Sequence, residues 1–142
     1  MKRHRARIVA MQAVFQTQFH PVPVEDLKQF KWIDFTLPEE EAKMASEILE
    51  GTLNHLSEID RLIKQYSEHW ALERISHVTK AVLRTAIYQL LSRYRNVPPA
   101  VIIDEAVRIA KKYDEEDAKR FVNGLLDRIH KDFKQGIIQE FQ

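Results

Sequence analysis

The sequence predicts an all-α protein, a compact bundle of about seven helices in two packed subdomains, and three observations carry that prediction. Glycine occurs 3 times and proline 5 times in 142 residues, so few positions interrupt a regular backbone. Ala, Leu, Ile, Glu, Lys, Arg and Gln dominate, a composition that suits helices and fits sheets poorly. Apolar residues make up 44% of the chain and recur at helical spacing between short breaks, which is enough for the core of one ordinary domain and argues against a two-domain enzyme.

The first helix is expected over residues 3–20, with Ile8, Met11, Phe15 and Phe19 on one side and Pro21 and Pro23 ending it. Residues 24–35 carry Leu27, Phe30, Trp32, Ile33 and Phe35 and suit either a short helix or a packed loop. Thr36 followed by Glu39, with Pro38 in the first turn, reads as a capping box that opens a long helix to about residue 56. Ser57 and Asp60 repeat the pattern before Ile59, Leu62, Ile63 and Tyr66, in a helix ending near Trp70. Ser76 then caps a helix from His77 to about Arg95, where Val78, Val82, Leu83, Ala86, Ile87, Leu90 and Leu91 cover more than one face, as in a buried central helix. Asn96-Val97-Pro98-Pro99 breaks the chain before Val101, Ile102, Ala106, Ile109 and Ala110, in a helix ending near Tyr113. Asp114 with Asp117 caps the last helix, whose stripe is Val122, Leu125, Leu126, Ile129 and Phe133. The expected division of this single domain falls near Ser57, giving an amino-terminal half of about 1–56 and a carboxy-terminal half of about 57–142.

Cysteine is absent, which excludes disulfides and thiolate metal sites and suits a reducing compartment. Gln12, Gln16 and Gln18 interrupt the first helix before a signal-peptide core could form, and no apolar run approaches the roughly 18 residues of a membrane helix. A cytoplasmic protein is expected.

The net charge of +1 conceals an uneven distribution. Residues 1–24 hold four bases and no acid, residues 25–60 hold three bases against ten acids, and the remainder holds fifteen bases against eleven acids. Any polyanion therefore meets one face and not the whole surface. Catalytic chemistry finds no footing. The histidines His4, His20, His55, His69, His77 and His130 form no ligand pair on one helix face, and Gly51, Gly124 and Gly136 make neither a phosphate loop nor a nucleophile elbow. Neither a metal nor another cofactor is expected. Glu39-Glu40-Glu41 and residues 114–117 lie at predicted helix starts, where carboxylates complement the helix dipole.

The basic amino terminus is the informative feature. Arg3 and Arg7 are four residues apart and share a helix face, Lys2 and Arg5 flank them, and guanidinium forks suit phosphate contact. A solvated, frayed terminus would carry the same charges. On the last helix, Phe121 lies roughly 95° from the centre of the apolar stripe, at its edge and partly exposed. Asp117, Gly124 and Arg128 share that flank, and Lys119 lies on the opposite shoulder. An ordinary margin of the core fits Phe121 as well.

Five segments, RHRARIVAMQAVFQTQF, IDRLIKQY, KAVLRTAIYQLL, VPPAVIIDEAVRIAKKY and KRFVNGLLDRI, resemble the NusB family in order and spacing, across nearly the whole chain except residues 21–56. The resemblance implies two packed helical bundles and a role in processive transcription antitermination, especially of ribosomal RNA operons. Family members bind the single-stranded boxA element of nascent RNA together with NusE, a small-subunit ribosomal protein, within the RNA polymerase antitermination complex. Carried over residue by residue, the resemblance assigns RNA binding to Lys2, Arg3, Arg5 and Arg7 as the basic motif, to Phe15 as the aromatic of the first helix, and to Tyr66, Tyr113, Lys119 and Phe121 in the second bundle. Two positions depart from the pattern: Asp114 replaces the usual glycine after Tyr113, and His4 stands where another arginine is common. Two other functions fit the same residues: an RNA-binding accessory module like that fronting certain ribosomal RNA methyltransferases, although a chain ending at Gln142 leaves no room for the enzyme, and a purely protein-binding helical scaffold.

Overall fold

A computed structural model describes residues 2–68, 72–113 and 116–142, with the side chains of Lys2 and Glu116 outside that description. The helices are α1 (Lys2–Gln16), α2 (Val24–Leu27), α3 (Glu39–Asn54), α4 (Leu56–Tyr66), α5 (His77–Leu91), α6 (Pro99–Tyr113) and α7 (Glu116–Lys134), with single 3₁₀ turns at Leu72–Arg74 and Tyr94–Asn96. Among the described residues there is no strand.

Helix α1 ends four residues earlier than its apolar spacing predicts. The amides of Thr17, Gln18 and Phe19 donate to carbonyls three residues back, and the Thr17 hydroxyl donates to the Val14 carbonyl at 2.7 Å, so the chain tightens and turns away. Phe19 consequently leaves the buried face and is 55% exposed. Residues 24–35 combine both options, with one helical turn followed by a packed loop. Leu27 and Phe30 are buried, and the Trp32 indole N–H donates to Gln12 Oε1 at 2.9 Å.

Both proposed capping boxes fail for the same reason: the helices open elsewhere. Pro38 occupies the N-cap of α3 with no side-chain cap, leaving Thr36 exposed in the preceding loop, and Glu39, Glu40 and Glu41 face the positive end of the helix dipole. Helix α4 begins at Leu56 with His55 at its N-cap, so Ser57 lies inside the first turn. The Asp60 carboxylate instead receives Arg84 Nε and Nη2 at 2.8 and 2.9 Å. Helix α4 stops at Tyr66, and Trp70 lies outside the described residues. The third cap is as expected, with the Thr79 amide donating to Ser76 Oγ at 3.0 Å. Helix α5 ends at Leu91 and not near Arg95, because Arg93, Arg95 and Asn96 adopt left-handed conformations with φ of 53°, 50° and 55°. Pro99 opens α6 at the first helical position, where its missing N–H costs nothing. The expected Asp114 cap of α7 lies outside the described residues.

Burial explains how these elements assemble. From Thr79 to Leu91 only Tyr88 of α5 is not buried, which makes α5 the centre of the molecule. One apolar cluster joins α5 to α1, α4, α6 and α7, and a smaller one joins α1 to α3, Phe30 and Tyr94. Helix α1 serves both, giving Ile8, Met11, Ala13 and Val14 to the first and Ala6, Val9 and Ala10 to the second. Val122, Leu125, Leu126 and Ile129 of α7 are each 0% exposed, and full burial of such side chains contributes about 1.5–3 kcal/mol apiece. Gly51 lets α3 approach the Tyr88 ring so closely that an added Cβ would overlap ring atoms.

Candidate nucleic-acid interface

The start of α1 lies across the joint between the two clusters, and its basic residues part company there. Arg3 is exposed. Arg5 lies over α3, where Nε and Nη2 donate to the two oxygens of the buried Glu41 carboxylate at 3.2 and 3.0 Å, with the guanidinium 5.3 Å from the centroid of Phe35. Its side chain is still 45% exposed.

Arg7 points the other way and is only 4% exposed. Its Nε donates to Gln89 Oε1 on α5 at 2.8 Å, and its Nη1 lies 3.4 Å from Glu105 Oε1 on α6. Burial lowers the pKa of this guanidinium, against the opposing pull of Glu105. The expectation that Arg7 meets a phosphate is therefore corrected: the shared face with Arg3 turns inward one turn later, and the Arg7 fork is used up inside the protein. His4 adds a second tie, with Nδ1 2.8 Å from Glu105 Oε2. Lys2 has no described side chain.

Tyr113 ends α6, and Lys119 and Phe121 lie in the first two turns of α7. Tyr113 is 38% exposed, with Lys112 Nζ 5.4 Å from its ring centroid, while Lys119 and Phe121 are half-buried. Phe121 packs on the edge of the larger cluster, as its angular position on the stripe predicts. An aromatic with one face against the protein and another edge in solvent suits base stacking.

Two sequence-assigned residues lie apart from this margin. Phe15 is twelve residues from Arg3, about 18 Å along the α1 axis. It packs edge-to-face on Phe19 at 5.0 Å, and Phe19 does the same on His77 at 4.9 Å. Tyr66 is buried at the end of α4, where its hydroxyl donates to Asp132 Oδ2 at 2.5 Å, eleven residues along α7 from Phe121. It offers no open ring for a base.

Burial first, and then the bond to Asp132, push the Tyr66 hydroxyl up to about 12. Because the folded value exceeds the ordinary 10.0, the stabilisation is fully present below pH 10 and is lost as pH rises through about 12. We expect Tyr66→Phe to remove one late step from a spectrophotometric tyrosine titration and to flatten the alkaline loss of stability in that window. Loss of a step near 10.0 in place of the late one would show that the hydroxyl ionises like an exposed phenol.

Local reading of the sequence missed the exposed bases of α6, namely Arg108, Lys111 and Lys112, together with Glu105, which ties α1 to that helix. Periodicity could have found the first three, since Lys111 lies opposite the stripe of Ile102, Ala106 and Ile109, and Arg108 and Lys112 lie on its flank. The role of Glu105 depends on residues about a hundred positions away.

An all-helical chain whose two apolar clusters meet on α1 and α3, with exposed basic residues at the start of α1, sets the class of molecule. The chain belongs to the NusB family, whose model matches residues 4–131. It is 38% identical to the transcription antitermination protein NusB of Elusimicrobium minutum (strain Pei191) over 94% of this chain and 96% of that one. It is 41% identical to the protein of that name from Treponema pallidum (strain Nichols), over 91% and 92%. Among solved structures, T. maritima NusB superposes with a TM-score of 0.78 at 40% identity, covering 92% of this chain and 91% of that chain. A chain from the crystal structure of antitermination factors NusB and NusE in complex with dsRNA superposes with a TM-score of 0.76 at 26% identity, covering 92% and 98%.

Proposed function

We propose that this protein is an antitermination factor that binds boxA-type single-stranded RNA together with NusE and joins the RNA polymerase antitermination complex on ribosomal RNA operons. It acts in the cytoplasm as one two-halved domain and performs no catalysis of its own. The observation that carries the reading is the margin itself. Arg3 and the exposed part of Arg5 offer phosphate contacts, Tyr113 at the end of α6 and Phe121 on α7 offer stacking faces, and Glu105 fixes the start of α1 to α6. Phosphate contact supplies affinity without sequence choice, and stacked, splayed bases supply the choice. No helix among the described residues is long and apolar enough to cross a membrane.

The test is a gel shift with a boxA-like RNA, with and without NusE, at two salt concentrations. Arg3→Ala combined with Arg5→Ala is expected to weaken binding and flatten the salt dependence by up to about 0.7 in log–log slope per lost contact. Arg3→Ala is expected to leave folding intact, whereas Arg5→Ala takes both donors from the buried Glu41 carboxylate, so the melting temperature of each variant is measured beside its affinity. Unchanged affinity and slope would sink the reading.

A further inference from the structure

Helix α6 carries bases that the margin described above does not use, and one carboxylate oxygen shows where they lie. Glu105 Oε2 is 2.8 Å from His4 Nδ1 and 3.7 Å from Arg108 Nη1, so the start of α1 and the flank of α6 meet at a single atom. The other oxygen of Glu105 faces Arg7 Nη1 at 3.4 Å, and the side chain of Glu105 is 5% exposed. One buried acid thus serves three cationic or titratable partners. The side chain of Arg108 is 63% exposed, so this distant contact leaves most of its guanidinium in solvent.

Lys112 follows Arg108 by one helical turn on the same flank, about 6 Å further along the axis, and its ammonium lies against Tyr113. The sequence of groups is then Arg3, His4, Arg108, Lys112 and Tyr113, running from one bundle onto the other. Besides the buried Glu105, which contacts His4 and Arg108, α6 carries one exposed acid, Asp104, one turn before Arg108. A positively charged strip that ends on an aromatic ring is the arrangement that tracks a single-stranded backbone and delivers its bases to a stacking surface.

We propose that Arg108 and Lys112 carry the RNA backbone along α6, from the arginines of α1 to Tyr113 and Phe121, with Glu105 as the positioning residue that brings the two stretches together. This inference rests on the RNA-binding reading and adds the path between its two ends. Arg108 and Lys112 touch the phosphates, whereas Glu105 acts through His4 and Arg7.

The experiment compares four proteins on one boxA-like RNA at about 50 and about 200 mM salt: the wild type, Arg108→Ala with Lys112→Ala, Arg3→Ala with Arg5→Ala, and Lys131→Ala with Lys134→Ala at the far end of α7. Two lost phosphate contacts reduce the log–log slope by up to about 1.4, so the affinity lost between those concentrations shrinks by up to about sevenfold. We expect this for the α6 pair with an unchanged melting temperature, wild-type behaviour for the α7 pair, and near-complete recovery in Arg108→Lys with Lys112→Arg, which keep the charges. Wild-type binding by the α6 pair, alongside weakened binding by the α1 pair, overturns the path and leaves the RNA reading intact. Wild-type binding by both pairs, or no binding by the wild type, overturns both. Equal weakening by the α6 and α7 pairs reduces the effect to overall charge and also overturns the path.

Discussion

Arg7→Ala is expected to destabilise the protein by about 3–5 kcal/mol, because removing one partner of a buried pair leaves the other charged and out of water. Glu105 is 4% exposed and would lose the guanidinium on Oε1, while Gln89 would lose the donor to its Oε1. The Gln89 side chain cannot turn outward freely, because its Nε2 donates to the Thr85 carbonyl at 3.0 Å inside α5. For a chain of this length the loss corresponds to roughly 10 °C or more in melting temperature. Arg7→Lys supplies the charge without the fork and is expected to recover only part of the loss. Thermal and urea melts of both variants measure this. A shift within about 0.5 kcal/mol of wild type for Arg7→Ala would show that the buried fork contributes no more than a surface pair. Because the effect is on folding, replacing Arg3, Arg5 and Arg7 together would confound RNA affinity with stability; Arg3→Ala is the clean probe, since Arg5 also holds the buried Glu41.

The fate of Arg7 shows which part of this molecule a local reading can reach. Spacing places Arg7 beside Arg3 on α1, and that geometry is right. What spacing does not reveal is that α1 is enclosed on two sides, so that from Ala6 to Met11 every residue is buried. No polar face remains at that level, and a charged residue must find partners inside. Those partners, Gln89 and Glu105, are 82 and 98 residues away in the chain. Tyr66 teaches the same lesson, since its ring is paired with an Asp132 that no motif connects to it.

Helix existence was far more legible than helix starts. The apolar residues of α5 cover more than one face, which points to a central position. The Thr36–Glu39 and Ser57–Asp60 spacings look alike in sequence, yet each competes with a packing decision: α3 begins only where Pro38 lets the acidic turn form, and α4 begins directly after the His55 turn. Asp60 was drawn off by Arg84. The acidic excess of residues 25–60 was visible as a count but not as a purpose. In the fold much of it is spent internally: Glu41 holds Arg5, Glu40 and Glu47 hold Arg95, and Glu50 with Glu25 holds Lys28. Local charge counts therefore overstate the field that a partner would meet at this surface.

Phe121→Ala is expected to reduce affinity for a boxA-like RNA by about 1–3 kcal/mol, roughly 5- to 150-fold, if a base stacks on the ring. The geometry favours a functional cost over a structural one. The four α7 residues that carry the packing, Val122, Leu125, Leu126 and Ile129, are each fully buried and stay in place, whereas Phe121 is half-buried at their edge. Truncation there removes part of a contact and leaves a surface notch, not a closed cavity, so the melting temperature should move by only a few degrees. Phe121→Leu separates the two contributions, because it restores apolar packing against the cluster without restoring a flat π face. Stacking predicts that the Leu variant melts like wild type and binds like the Ala variant, and that Phe121→Tyr binds close to wild type. Salt dependence should be unchanged in all three, since no phosphate contact is lost. If the Ala variant unfolds easily while its folded fraction binds RNA normally, the ring belongs to the core, and the bases stack elsewhere along the margin, with Tyr113 the exposed aromatic nearest to the lysine of α6.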